Sequence, residues 1–309
     1  MFPGISPAGQ QFVNNVNQIQ STLNTAEQQI SSGMNLNQPS DAPDEVSPVL
    51  QLLTQVNQNQ TMNTNLTAVQ ANVNAAENAL SSSVNLLQSA STLAAEALGT
   101  SETASTRSDM AQTVQGLLQQ MVANSQTQVA GQYVFSGDQS GSPTYQYDLS
   151  ATNGVDQLMT PTNTNLVQLP NGSQVSVTLT ADNVFDQTDA TGNPTANNVF
   201  AALSALNTAL QNNDTTGINN AMTSLQSAST YMNSQLALIG NAQNTLSSAL
   251  TDNQNDSVQL QTQLSSLRDA NMTEAITALT QSQTQLQAAL SAQARMPTTS
   301  LFDFLPVTT

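Results

Sequence analysis

The chain predicts a mainly α fold, a long antiparallel helical bundle or coiled coil with its terminal helices paired, carrying a small β-rich insert. Three observations lead there. Apolar residues recur three or four positions apart over most of the 309 residues, the spacing of one helix face. The pattern lapses in the middle, where Gly, Ser and Pro alternate with aromatic and β-branched residues. Both ends return to helical spacing, so the layout is helix, insert, helix.

The first apolar stripe is Val16, Ile19, Leu23, Ala26 and Ile30. It ends in QQISSGMNLNQPSDAPDEV, residues 28–46. Gly33 suits the left-handed turn that stops a helix, and Pro39, Pro43 and Pro48 oppose its resumption. Asp41 or Ser47 is expected to cap the next helix, with Asp44 and Glu45 near its positive end. That helix carries Met62, Leu66, Val69, Val73, Ala76, Leu80, Val84 and Leu87, a seam for partner helices. From 57 to 98 it would run roughly 60 Å at about 1.5 Å per residue.

GTSETAS (99–105) breaks it, with Gly99 as a stop and Ser101 or Thr103 as the next cap. A helix with Met110, Val114, Leu117, Leu118, Met121 and Val122 follows. The insert begins around GQYVFSGDQSGSPTYQYD, and QVSVTLT (174–180) alternates like a strand after the turn signal PNGS. With about 60 residues it is too small for a large core. Helix resumes over 199–211 and from 218 to about 250. A last stretch is expected from about 252 to 294, with Leu260, Leu264, Leu267, Ile276, Leu279, Leu286 and Leu290 on its apolar face.

Composition narrows the chemistry. Only 7% of residues are charged, Lys and Arg total three (Arg107, Arg268, Arg295), and the formal net charge is -17. Such a surface offers a nucleic acid or an anionic membrane nothing to bind. With no His and no Cys there is no imidazole base, thiolate or ordinary zinc site. No cofactor and no metal is expected, and paired carboxylates are the remaining route to catalysis. No apolar run is long enough to span a membrane, so no membrane insertion is expected. The opening MFPGISPAGQQFVNN has neither the basic segment nor the apolar core of a cleavable signal peptide.

Four segments together resemble the flagellin superfamily. They are QQISSG with NQPSDAP (37–43), NVNAAENALSSSVNLLQSASTLAAEALGT (72–100), GQYVFSGDQSGSPTY (131–145) and DANMTEAITALTQSQTQLQAALSAQARMPTTSLFDFL (269–305). The PSDAP and SLFDFL spellings are similar to the branch that joins hook to filament. Two departures stand out. Met34 and Asn35 follow the turn where the family commonly has basic residues, and Ser89 and Ser91 stand where flagellins place a basic residue. A site for the innate immune receptor is therefore not implied.

The resemblance implies an assembly domain with its linker at 1–44 and 269–309, a helical rod at 45–137 and 198–268, and an outer β-rich insert at 138–197. It implies an assembly interface of Val16, Ile19, Leu23, Ile30, Ile276, Leu279, Leu286, Leu290, Phe302, Phe304 and Leu305. The hinge would be Gly33, Pro39, Ser40, Asp41 and Pro43. The implied partners are further copies of the chain in a ring or tube, a neighbouring hook-associated protein, flagellin and an export chaperone. The implied location is extracellular, after export by the flagellar secretion apparatus. Against this structural role stand the filament flagellin itself, an adhesive module using the insert, and a carboxylate hydrolase using Asp182 and Asp186. Solvated surface charge is the ordinary reading of those two acids.

Overall fold

The computed structural model describes residues 7–38, 41–161, 166–170, 172, 174–176 and 179–295. Among these, helices α1 (Pro7–Ser32), α2 (Pro43–Ala97) and α3 (Ala104–Ser125) precede six short strands. The strands are β1 (Gln128–Val129), β2 (Gln132–Tyr133), β3 (Tyr145–Tyr147), β4 (Val155–Gln157), β5 (Leu166–Gln168) and β6 (Gln174–Ser176). Helices α4 (Ala181–Phe185), α5 (Val199–Gln211), α6 (Thr215–Arg268) and α7 (Met272–Ala294) complete the order. The strands form three antiparallel hairpins, β1–β2, β3–β4 and β5–β6. The tightest turns at Ala130-Gly131, both left-handed, as a two-residue hairpin requires.

The chain divides into two compact units, 1–58 with 256–309, and 59–255. Both divisions fall inside a long helix, α2 at one and α6 at the other.

The 59–255 unit owes its core to heptad spacing. On α2, Leu66, Val73, Leu80, Leu87 and Ala94 follow at intervals of seven, all buried. On α6, Ile218, Leu225, Met232, Ile239 and Leu246 do the same. Small residues fill most of the second line of each seam, Ala76, Ser83, Ala90 and Ala97 on α2, Ala221, Ala228 and Ala249 on α6, where the buried Gln235 follows Ala228. Such lines let helix backbones approach closely and bury a continuous face. From α3, Ala111, Val114, Leu118 and Met121 join the same core, as do Leu203, Leu206 and Leu210 from α5.

Polar faces are satisfied locally rather than by ion pairs. Thr and Ser hydroxyls along the helices donate to the carbonyl four residues back, as Thr92 does to Gln88 (3.0 Å) and Thr251 to Ser247 (2.9 Å). Thr103 caps α3 through a reciprocal box with Thr106. Arg107, almost fully buried, donates from Nε to the Ala97 carbonyl (2.8 Å) and from Nη1 to Asn213 Oδ1. It therefore closes the C-terminal turn of α2 and pins the left-handed Asn213 before α6.

Two expectations change. The helix after the first break starts at Pro43 and contains Pro48, so Ser47 is no cap and Pro48 holds no link open. Pro43 occupies a helix's first position, where no amide hydrogen is needed, and Asp44 and Glu45 stand in the first turn. Helix α6 runs unbroken through 250–252, and the interruption expected there lies at 269–271. As its small size implies, the described residues of 138–197 form no core cluster of their own. Phe135, Tyr145, Val155, Val184 and Phe185 enter the same cluster as the helices.

The centre of that junction is aromatic. The Phe135 and Phe185 rings meet edge to face at 5.4 Å, Phe185 stacks on Phe200 at 5.9 Å, and Tyr145 leans on Phe200 at 5.1 Å. Replacing Phe200 with Ala empties the middle of this group. It should cost about 3–5 kcal/mol, read as the loss of unfolding free energy by chemical denaturation.

Candidate assembly surface

In the unit formed by 1–58 and 256–309, α1 packs along α7. The ends fix their sense: Asn35 N donates to the Arg268 carbonyl (2.7 Å) and Ala270 N to the Gly33 carbonyl (2.9 Å). The end of α1 therefore lies beside the start of α7, and the two helices run antiparallel.

Their seam follows alternating three- and four-residue steps. On α1, Phe12, Val16, Ile19, Leu23 and Ile30 are half-buried and Ala26 is buried. On α7, Ala275 and Ser282 are buried, with Leu279, Leu286 and Ala289 half-buried between and beyond them. Val16, Ile19, Leu23, Ile30, Leu279 and Leu286 thus come together between the two helices. Ile276 and Leu290 do not, and stand 52% and 55% exposed on another side of α7. Ala275, Ser282 and Ala289 were missed because small or polar residues carry little apolar signal. Stepping three or four positions from Leu279 and Leu286 would have reached all three.

The outer face of α7 has its own character. Ile276, Thr277, Thr280, Thr284 and Ala288 line a shallow open depression, flanked by Gln281 and Gln285. Thr277, Thr280 and Thr284 donate their hydroxyls to the Thr273, Ile276 and Thr280 carbonyls at 2.7–2.9 Å. With those protons committed to the helix's own backbone, the face presents mainly methyl groups and methylenes. Charge is sparse as well. Glu27 is the charged residue of α1 and Glu274 that of α7.

The link after α1 is tied down residue by residue. Gly33 N closes the last helical turn by donating to the Gln29 carbonyl (2.9 Å), and its φ of 71° takes the backbone out of the helix. Met34 then bridges Asp269 in antiparallel fashion. One carboxylate oxygen of Asp41 accepts the Asn37 (3.0 Å) and Gln38 (2.8 Å) amides, so Asp41 organises the link behind it rather than capping α2. Pro43 opens α2, whereas Pro39, Ser40, Phe302, Phe304 and Leu305 lie outside the described residues. Across the link, Asp269 accepts from the Ser265 hydroxyl (2.6 Å) and from Arg268 Nε (3.2 Å). The Ser265 hydroxyl first, and Arg268 after it, hold the Asp269 carboxyl below the usual carboxylate range. Asn271 caps α7 by accepting from the Thr273 and Glu274 amides.

Of the two acids weighed for hydrolysis, Asp186 is held by amide donors, whereas Asp182 Oδ1 is buried without a hydrogen-bond partner among the described residues. Asp186 is buried, with one carboxylate oxygen accepting from Asn153 Nδ2 (2.9 Å) and Asn198 Nδ2 (2.7 Å). Burial pushes the neighbouring Tyr145 hydroxyl well above its ordinary pKa, and the charges of Asp186 and Asp182 add to this, so it stays protonated. Among the described residues no group of three or more acidic side chains could hold a metal ion, and no helix is long and apolar enough to cross a membrane.

Comparison with known proteins agrees with this geometry. The family model of the bacterial flagellin N-terminal helical region matches residues 8–140, and that of the C-terminal helical region matches residues 222–305. A search of curated sequences gives no significant match. Among solved structures, a Vibrio parahaemolyticus protein described as a flagellar hook-associated protein is similar, at 15% identity and a TM-score of 0.64, over 74% of this chain and 100% of its own. Hook-associated protein 3 of Legionella pneumophila, at 15% identity, gives a TM-score of 0.61 over 71% of this chain and 98% of its own. Bacillus cereus FlgL, at 17% identity, gives 0.55 over 71% and 100%. At such identities the likeness is one of fold. The two family models lie in order at the two ends and together span well over half of the residues, so the chain belongs to the bacterial flagellin family.

Proposed function

We propose that this protein is a structural, non-enzymatic subunit of the bacterial flagellum that joins hook to filament, and that it assembles through α1 and α7. The observation that carries the reading is the outer face of α7. Its apolar side chains are exposed in the single chain, its threonine hydroxyl protons are already committed, and it bears almost no charge. Covering such a face costs little desolvation and returns the apolar area to a dry interface. A net charge of -17 would oppose stacking of identical chains, and the near absence of acids from the two terminal helices keeps that repulsion away from the contact. The fold shared with hook-associated proteins and the PSDAP and SLFDFL spellings favour the junction over the filament.

The partners in this proposal are further copies of the chain in a ring or tube, a neighbouring hook-associated protein and flagellin. The C-terminal Phe302, Phe304 and Leu305 are proposed to engage an export chaperone before delivery outside the cell by the flagellar apparatus. Gly33, Pro39, Ser40, Asp41 and Pro43 are proposed as the joint between the assembly domain at 1–44 and 269–309 and the rod at 45–137 and 198–268, with 138–197 as its outer part.

A clean deletion tests the junction role. It should leave bare hooks and flagellin secreted into the medium, with both restored by the full chain. Filaments of normal length on the deletion strain would overturn it, and long filaments grown from the purified protein would make it flagellin instead.

Ile276→Ser with Leu290→Ser tests the face. Both residues are exposed, so unfolding free energy should stay within about 0.5 kcal/mol of the parent. Each buries roughly 1 kcal/mol of apolar surface on assembly, so subunit contacts should weaken about thirtyfold, read by sedimentation or by rescue of motility.

The joint is tested by Gly33→Ala. A Cβ there meets nothing within 4 Å, so the cost is that of a left-handed backbone, about 1–2 kcal/mol. It should appear as faster hydrogen exchange at the Asn35 and Ala270 amides. Because its folded pKa is lowered, Asp269 supports the joint above the ordinary carboxylate range and ceases to as pH falls through its own pKa. Protection of those two amides should therefore drop on acidification, and the Asp269→Asn variant should lose that dependence.

A further inference from the structure

The two heptad lines of the 59–255 unit are each interrupted once, and the interruptions face one another. On α2, the position seven before Leu66 is Asn59. On α6, the position seven after Leu246 is Asn253, 1% exposed. Asn59 Nδ2 donates to the Asn253 carbonyl (3.0 Å) and to its Oδ1 (2.9 Å), and Asn253 Nδ2 donates back to the Asn59 carbonyl (3.2 Å). The amides complete each other, at the end of two lines whose other positions within the unit are apolar, while the second line of the seam holds the buried Ser83 and Gln235.

We propose that this asparagine pair sets the register of α2 against α6. Pairing of Gln243 with Asn74 and Glu77 shows the helices running antiparallel, since a higher number on α2 meets a lower one on α6. With Asn59 opposite Asn253, counting by sevens sets Leu66 level with Leu246, Val73 with Ile239, Leu80 with Met232 and Leu87 with Leu225. Every layer that these two lines form above the pair is apolar on apolar. Sliding by one heptad, about 10 Å, would therefore exchange like for like at each of them. At the asparagines it would not. Asn59 would face Leu246, or Asn253 would face Leu66, and the buried Asn253 amide and half-buried Asn59 amide would lose their partners. A single polar pair at a core heptad position is a known means of specifying register at some cost in stability.

The usual alternative is missing here. Coiled-coil register is commonly fixed by opposite charges flanking the seam. Helix α2 carries Asp44, Glu45, Glu77 and Glu96 with no base, and the one base of α6 is Arg268 at its far end. Within the unit no charge pair between the two helices exists to do the work.

The chain has no cysteine, so spin labels can be placed on cysteines introduced at the exposed Thr64 and Ser248, which the register sets level. The parent should give one narrow distance. Asn59→Leu with Asn253→Leu should unfold at higher temperature yet give a broadened or two-peaked distribution, the second population displaced by about one heptad. Asn59→Leu alone leaves Asn253 facing an apolar residue in every register. It should broaden the distribution too and melt below the double variant. A single narrow distance in both variants overturns the proposal. Equal broadening in Gln243→Leu would overturn it as well, by denying the pair any special role.

Discussion

The whole molecule depends on the fact that its helices cannot stand alone. Ion pairs three or four residues apart, the ordinary support of a solvated helix, are nearly absent from a chain in which 7% of residues are charged. Ser, Thr and Asn have middling helix propensity, and a 55-residue helix such as α2 persists only by burying a stripe against something else. In the 59–255 unit that requirement is met by the chain itself, with buried residues at almost every core heptad position. In the unit of 1–58 and 256–309 it is met in part. Among its described residues Ala26, Leu264, Ala275 and Ser282 reach full burial, while most larger side chains of the α1–α7 seam stay half-exposed. The same constraint that builds one unit leaves the other with apolar surface to spend on neighbours.

Hydroxyl groups make that surface usable. A threonine whose proton goes to its own helix offers a partner a methyl group and little else, so a neutral polar helix can be watery in isolation and dry in an assembly. Lys and Glu in the same places would hold the helix soluble and would have to be stripped of water at each contact. The acids that give the chain its charge sit mostly outside α1 and α7, where they favour hydration without opposing association.

Much of this was legible in the spacing of large apolar residues. Val16 to Ile30, Leu66 to Leu87 and Val199 to Gln211 marked helices that the structure has, and Thr103 was one of the two caps expected. What escaped notice involved residues whose role depends on a partner far along the chain. One helix was expected to end near 250 and the next to begin near 252, yet α6 passes through, with Asn253 matched by Asn59, 194 positions away. Ser282 occupies a seam position that its polarity conceals. The aromatic residues of the insert were recognised as a change of character, but a sequence does not say that Phe135, Tyr145 and Phe185 close over Phe200 of a helix. Pro48 misled for a different reason. Proline is a strong local breaker, and the packing of a long helix outweighs the one hydrogen bond it removes.

The two breaks in the unit of 1–58 and 256–309 then acquire a common purpose. Gly33 ends α1 and the Asp269–Asn271 stretch precedes α7, and neither interruption is needed to turn the chain on its own account. They lie side by side because the Gly33 carbonyl takes the Ala270 amide while the Arg268 carbonyl takes that of Asn35. Each link thus supplies the acceptor that the other would otherwise lack. A strand-like bridge of this kind forms only when both links are in place, so the end of α1 and the start of α7 are ordered together or not at all. The antiparallel seam that follows inherits its alignment from this clasp, which sets Ile30 near Ala275 and leaves Ile276, one position further round the helix, facing away. The outward face of α7 is therefore fixed by backbone hydrogen bonds at the joint, before any neighbour is met.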